Sequence, residues 1–229
     1  MDIDTLLQAL IQLQQSGQKI PQRDEILEYL NPINIQKLKK VQNQLRRIQT
    51  LTFSATKHRR VYKTKKQFDG RKGYLQGLLF ERMIQVVFED SQIFELQPRV
   101  QTAACEIDFF IHVLPPYNQL FPTIGSHQRI FGEAKCHAVG AKSEWVNTHV
   151  GKMTGNGTRL GMLFTFHKPG CAPSEFRTAV KDHFRSQPPT EIIPWGPSLV
   201  DELVKGVPFL RLVIKQHNLA YMGTTALIL

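Results

Sequence analysis

Two short β-prone segments carry acidic residues inside apolar runs, and they constrain the fold more than any other feature of the chain. The first is EIDFFI at 106–111 and the second is IFGEAK at 130–135. Carboxylates are rare in strands, because burying a charge is costly unless it is paired or bound to a metal. We therefore expect Asp108 and Glu133 to gather around a hard cation. Residues two apart on a strand share one face, so Lys135 should point the same way as Glu133.

The pattern around these two segments predicts an α/β fold. Strands are predicted at 93–100, 106–113, 129–135, 161–166 and 191–195. Helices are predicted at 73–89, 142–154, 174–186, 197–205 and 209–216. The loop from Pro115 to Ser126 should join its two flanking strands as an antiparallel pair. Alternation of strands and helices favours a mixed sheet covered on both faces.

In order and context, these segments resemble the PD-(D/E)xK superfamily of nucleases, which has the restriction-endonuclease-like fold. Asp108 matches the strand aspartate of that family, although isoleucine replaces the proline that precedes it in the motif. Glu133 and Lys135 match the (D/E)xK. The helix sequence GLLFE resembles the Gly-x-x-Phe-Glu segment of Mrr-type members, with Glu81 as the helix carboxylate. The resemblance covers about residues 73–215.

The resemblance implies a catalytic set of Glu81, Asp108, Glu133 and Lys135. Asp108 and Glu133 would bind Mg²⁺, for which Mn²⁺ would substitute, and Glu81 would approach from the helix side. Lys135 would orient or deprotonate the attacking water and neutralise developing charge. The alternative is that each acid is a surface or salt-bridged residue, which is weakest for the two strand carboxylates. Glu106 shares a face with Asp108, so it could share the metal or flank the DNA.

The helix predicted after Lys135 carries His149 and Lys152 on one face, since they are three residues apart. In the nucleases that this chain resembles, a polar side chain of this segment often lies near the active site. Both residues are therefore assigned to phosphate contact, with an exposed polar face as the alternative. Cys136 and His137 lie beside Lys135, but neighbouring strand residues point to opposite faces, so Cys136 is expected to pack in the core.

The N-terminal part of the chain resembles a winged helix-turn-helix domain. Three helices are predicted, with an apolar stripe at 3–13 in the first, Pro21 opening the second, and the third at 35–48 as the recognition helix. The basic segment 57–66 would be the wing. The alternative is a helical brace with solvated charges. We assign residues 1–66 to this small helical domain and 67–229 to the nuclease domain, beginning with a linker at about 67–72.

Positive charge is concentrated in this N-terminal part. The chain has a net charge of +10 and a pI of about 9.7, which favours an anionic partner. Between Lys37 and Lys72 there are thirteen basic residues and one acidic residue, an excess larger than that of the whole chain. The residues assigned to DNA binding here are Lys39, Lys40, Arg46, Arg47, Lys57, Arg59, Arg60 and Lys63.

Several classes of protein do not fit the sequence. The 3 cysteines lack any C-x-x-C spacing, so neither a disulfide framework nor a zinc site is indicated. The N-terminus is acidic where a signal peptide needs positive charge, and no apolar run approaches the roughly 20 residues that span a bilayer. We expect a soluble, cytoplasmic protein with no membrane partner.

Together these features predict a Mg²⁺-dependent DNA endonuclease of restriction type that acts on double-stranded DNA. The resemblance implies a homodimer, because cutting two strands requires two active sites. One alternative is a Holliday-junction or repair nuclease that reads DNA structure. Another is a non-catalytic DNA-binding protein on a nuclease fold, and a third is an enzyme with an RNA substrate. Cleavage at a defined duplex site would support the restriction enzyme, and cleavage of branched DNA would support the junction or repair nuclease. Binding without cleavage would support the non-catalytic DNA-binding protein.

Overall fold

A computed structural model describes residues 22–54, 61–115, 129–136, 141–166 and 174–222, together with residues 8, 12, 15, 16 and 56. Its strands are β1 Phe94–Gln101, β2 Glu106–Val113, β3 Arg129–Cys136, β4 Leu160–Phe166 and β5 Glu191–Trp195. The helices with described bounds are α1 Arg23–Leu30, α2 Ile35–Thr50, α3 Lys65–Phe88, α4 Ser143–Gly155, α5 Ser174–Phe184, α6 Pro197–Val204 and α7 Phe209–Met222. Among the described residues, no helix is both long enough and apolar enough to cross a membrane.

The five strands form one mixed sheet in the order β1-β2-β3-β4-β5. β1, β2 and β3 pair antiparallel, whereas β3, β4 and β5 pair parallel. Helices α2, α3 and α6 pack on one hydrophobic core and α4 and α5 on another, while α7 contributes to both. The predicted α/β fold, with a mixed sheet covered on both faces, is confirmed.

Strand patterning follows from this layering. All seven residues of β4 are buried, as expected for a central strand covered by helices on both sides. Burial alternates along β2, with Ile107, Phe109, Ile111 and Val113 buried and the residues between them more accessible. The alternation places Asp108 on the face opposite to Phe109, away from the core under α3.

Helix α2 joins the N-terminal segment to the rest of the protein. The Asn34 side chain caps its start by accepting a hydrogen bond from the Lys37 amide at 2.9 Å. At its other end, Lys72 Nζ donates to the carbonyls of Gln49 and Leu51 at 2.8 and 2.7 Å. The buried face of α2 lies in the same core as α3 and the sheet. That face comprises Leu38, Val41, Gln42 and Leu45.

The linker predicted at 67–72 is wrong, because these residues belong to α3. The Thr64 hydroxyl accepts a hydrogen bond from the Gln67 amide at 3.2 Å and so caps the start of the helix. Phe68 is buried, with its ring centroid 5.7 Å from that of Phe53 and 5.4 Å from that of Tyr62. A single apolar residue therefore holds an otherwise polar segment against its neighbours. The assignment of residues 1–66 and 67–229 to two domains stays a prediction.

Some predicted elements lie outside the described residues. Of the helix predicted at 3–13, only residues 8 and 12 are described, and both are helical. The first part of the predicted wing, with Lys57, Arg59 and Arg60, falls outside, as does most of the predicted loop between β2 and β3.

Candidate active site

Strands β2 and β3 separate at the point where each carries an acidic residue. The last pair of their ladder on this side is Phe109 and Gly132. The next residue beyond it is Asp108 on β2 and Glu133 on β3. Asp108 Oδ2 instead accepts a hydrogen bond from the Ala134 amide at 2.7 Å. The carboxylate thus takes the place of a backbone acceptor at the divergence of the strands. Because the register would place Asp108 opposite Glu133, both side chains meet on one face of the sheet.

Gly132 allows the two strands to approach closely at their last pair. A Cβ atom built on this glycine would lie 2.9 Å from the Cβ of Phe109, which is closer than real Cβ contacts allow. The glycine in the segment IFGEAK therefore has a packing reason, and it lies directly before the buried carboxylate.

Glu133 is held between two lysines. It is only 2% exposed, and its Oε1 lies 2.5 Å from Lys135 Nζ. Its Oε2 lies 2.7 Å from Nζ of Lys152, which comes from α4. Lys135 is on the same face of β3 as Glu133, as the alternation of strand side chains predicts. With Asp108, the site contains two carboxylates and two ammonium groups, so its formal net charge is zero.

The two carboxylates differ in acidity because their surroundings differ. Burial raises the pKa of Asp108, and the negative charge of Glu133 raises it further, against the Ala134 amide and the two lysines. Burial also raises the pKa of Glu133, but the hydrogen bonds from Lys135 and Lys152 outweigh it and the pKa is lowered. Titratable pairs whose environments separate their pKa values are a common feature of active sites.

His149 lies in the core beneath this site. It is 1% exposed, and neither of its ring nitrogens has a hydrogen-bond partner among the described residues. Gly161 of β4 makes room for it, since a Cβ atom there would lie 2.4 Å from His149 Nε2. A ring so enclosed is out of reach of a DNA backbone, so the predicted phosphate contact of His149 is wrong. Lys152, on the same helix, is half-buried and paired with Glu133 instead of forming an exposed polar face.

Replacing His149 with leucine should flatten the pH dependence of stability. Burial lowers the pKa of His149 from 6.5 to about 4. Below pH 6.5, His149 therefore binds a proton in the unfolded chain but not in the folded protein. The free energy of unfolding falls as the pH falls towards 4. The full loss is about 3 kcal/mol. Urea unfolding across this pH range would measure it for the wild type and for His149→Leu.

The difference between the two pH profiles isolates His149, because both proteins retain Asp108 and Glu133. The absolute stability of the variant is not decisive, since leucine changes the packing against Gly161. Parallel pH profiles would show that the ring takes up its proton freely in the folded protein and is not enclosed by α4 and β4.

Glu81 has a different partner from the one predicted. Its Oε2 accepts hydrogen bonds from Nη2 and Nε of Arg99 at 2.9 and 3.2 Å. Among the described residues, no hydrogen bond or ion pair joins Glu81 to Asp108, Glu133 or Lys135. Its catalytic role stays a prediction.

Arg99 was not identified from the sequence, where nothing distinguishes it from other surface arginines. In the β1–β2 register, Pro98 pairs with Phe109 and Val100 with Ile107, so Arg99 falls opposite Asp108. Its φ of 52° lies in the left-handed region, which is uncommon for a residue other than glycine. Such outliers cluster at functional sites, and this one aims the guanidinium at Glu81 beside the strand that carries Asp108.

The donor atoms present suit a magnesium ion better than a metal that needs many protein ligands. Within the described part of the chain, no three His, Cys, Asp or Glu side chains form a group able to hold a metal. Mg²⁺ is commonly bound by one or two carboxylates, with waters and substrate phosphates completing its coordination. Asp108 Oδ1 makes no hydrogen bond to the described residues and could serve as a ligand.

Glu106 is exposed, and its charge acts on Arg99. Cys136 packs against the core, as predicted, and burial raises its pKa to about 12.

The residues assigned to DNA binding have different surroundings. Lys39, Lys40, Arg47 and Lys63 are exposed. Arg46 pairs with Asp201 of α6 at 2.5 Å, so its charge already links two helices. The outward stripe of α2 is polar and basic, comprising Gln36, Lys40, Asn43 and Arg47. Lys57, Arg59 and Arg60 lie outside the described residues, so their contribution stays a prediction.

Of the four residues assigned as catalytic, the structure brings Asp108, Glu133 and Lys135 together and places Glu81 on Arg99. It adds Lys152 as a second cation on Glu133, an arrangement that the sequence could not reveal because it depends on how α4 packs. No family model matches the chain, and searches of curated proteins and of solved structures found no match either.

Proposed function

We propose that the chain is a Mg²⁺-dependent DNA endonuclease of the PD-(D/E)xK superfamily, with a restriction-endonuclease-like fold. The observation that carries this proposal is the meeting of Asp108 with the Glu133–Lys135 pair where β2 and β3 separate. Burying Glu133 costs free energy that a surface salt bridge would avoid. Its position where β2 and β3 separate, beside a second carboxylate, favours a chemical role over a structural one.

Three residues of the site would act in phosphodiester hydrolysis. Asp108 Oδ1 and one oxygen of Glu133 would hold Mg²⁺, which when bound supplies Lewis acidity at the phosphate and a more acidic water. The Lys135 ammonium, held on the same face as Glu133, would orient the attacking water. It would also offset the negative charge that develops on the phosphate, a contribution that is large where water is partly excluded.

DNA binding is assigned to the basic N-terminal part, which we propose to be a winged-helix domain with α2 as its recognition helix. The inner face of α2 is buried, which leaves the stripe of Gln36, Lys40, Asn43 and Arg47 exposed. Lysine and arginine bind phosphates, and asparagine, glutamine and arginine can also read base edges in the major groove. Cutting both strands of a duplex requires two active sites, so we propose a homodimer.

Incubation with plasmid DNA in Mg²⁺ and in EDTA tests the catalytic proposal. We expect discrete fragments in Mg²⁺, and none in EDTA or with Asp108→Asn, because the aspartate supplies a metal ligand. Methylated and unmethylated plasmids should be compared to detect a restriction-type preference. Cleavage of branched DNA regardless of sequence would favour a junction or repair nuclease. Intact plasmids that nevertheless shift on a gel would contradict catalysis and leave a DNA-binding protein.

A further inference from the structure

We propose that Lys152 competes with the metal ion for Glu133, so that metal binding becomes dependent on DNA. This inference rests on the proposed function. Lys152 Nζ donates a hydrogen bond to Glu133 Oε2 at 2.7 Å. When the metal and the DNA bind together, the ammonium moves from the carboxylate to a phosphate oxygen of the substrate.

Glu133 is paired at both of its carboxylate oxygens. Lys135 lies at Oε1 and Lys152 at Oε2, so both oxygens are engaged. Lys135 belongs to the same strand, two residues away, and its pairing is local. Lys152 reaches Glu133 from α4. Near the end of that helix, the side chain of Asn156 donates a hydrogen bond to the backbone carbonyl of Lys152 at 2.8 Å. A metal that binds through Glu133 Oε2 therefore meets a side chain that tertiary packing has placed there.

The charged groups of the site balance one another. Asp108, Glu133, Lys135 and Lys152 together carry no formal net charge. A divalent cation added alone would give this partly buried site a net charge of +2, where repulsion between the cation and the two ammonium groups is poorly screened. A phosphodiester brings a negative charge that offsets part of this excess, and it also gives the displaced ammonium a new acceptor. Metal and DNA should therefore strengthen each other's binding, since such coupling is reciprocal.

Lys152 is better suited to this role than the exposed lysines nearby. Its side chain is half-buried, and its Nζ lies 2.7 Å from Glu133 Oε2. An ammonium that leaves Glu133 from this position needs another anion as its partner, and the substrate supplies one.

The test measures Mn²⁺ binding to the full chain by electron paramagnetic resonance, with and without a phosphorothioate duplex that resists hydrolysis. For the wild type we expect duplex to tighten Mn²⁺ binding by about tenfold or more. Lys152→Met should bind Mn²⁺ about tenfold more tightly than wild type without DNA, and duplex should tighten its binding less than that of the wild type, because the competitor is gone. Lys152→Arg should retain the dependence on DNA. Lys142→Met, which removes an exposed lysine just before α4, serves as the matched control and should behave as wild type.

Three results would overturn the inference. Equal Mn²⁺ affinity of Lys152→Met and wild type without DNA would show that Lys152 does not compete. Tight Mn²⁺ binding by the wild type without DNA would show the same, while leaving the proposed nuclease intact. No Mn²⁺ binding by any of these proteins, with or without duplex, would contradict the proposed metal dependence as well. If Lys152→Met does not fold, Lys152→Gln keeps a neutral hydrogen-bond donor and gives the same comparison.

Discussion

Replacing Lys135 with methionine should reduce the rate of DNA cleavage by about 10³-fold, because the water and the developing phosphate charge lose their cation. The substitution keeps the length and apolar part of the side chain, and Lys152 still pairs with Glu133 Oε2. We therefore expect the fold and the gel shift of DNA to remain close to those of the wild type. Single-turnover cleavage of plasmid in Mg²⁺ measures the rate without interference from product release.

Two comparisons make the Lys135 result specific. Lys215→Met removes an exposed lysine of α7 and should leave the cleavage rate unchanged, which controls for the loss of one positive charge. Lys135→Arg retains the charge with a different shape, so partial activity there would indicate that charge outweighs geometry. Full activity of Lys135→Met would remove the (D/E)xK interpretation of β3, even if the plasmid were cut.

Much of the fold could be predicted because, along most of the chain, the spacing of apolar residues and the length of each apolar run indicate the same type of element. The run of β4 is apolar apart from Gly161 and Thr165, and β2 is rich in β-branched and aromatic residues; both patterns predict strands, and both strands lie where expected. The start of α3 could not be predicted, since the composition of 67–72 is that of a linker. Its helical state depends on the Thr64 cap and on Phe68 meeting Phe53 and Tyr62, which are contacts between separate segments.

The same distinction applies to the site. Asp108, Glu133 and Lys135 were predictable because local alternation on two adjacent strands brings them to one face. Lys152 was assigned to phosphate contact, but its pairing with Glu133 requires knowing how closely α4 approaches the sheet. Arg99 depends on a left-handed backbone conformation that its sequence does not suggest. Residues placed by packing or unusual backbone are therefore the ones that pattern alone could not find.

Replacing Gly161 with alanine should lower the free energy of unfolding by about 2 kcal/mol, because the new methyl group overpacks the contact between α4 and β4. Its Cβ would lie 2.4 Å from His149 Nε2 and 2.5 Å from Met153 Sδ. Both side chains are buried, so relief requires α4 to move outward. That movement would also carry Lys152 away from the place where we propose that it meets the substrate phosphate, so we expect the cleavage rate to fall along with the stability.

Gly151→Ala is the matched control, since it adds the same methyl group to α4 on its exposed side, where nothing lies within 4 Å. There alanine should stabilise the protein by about 0.5–1 kcal/mol through helix propensity. Urea unfolding of both variants therefore tests the sign as well as the size of the effect. If Gly161→Ala were as stable as the wild type, α4 could not pack so closely on β4 that a methyl group at Gly161 meets His149 and Met153. In that case the pairing of Lys152 with Glu133, which depends on this close packing, would lose its structural basis.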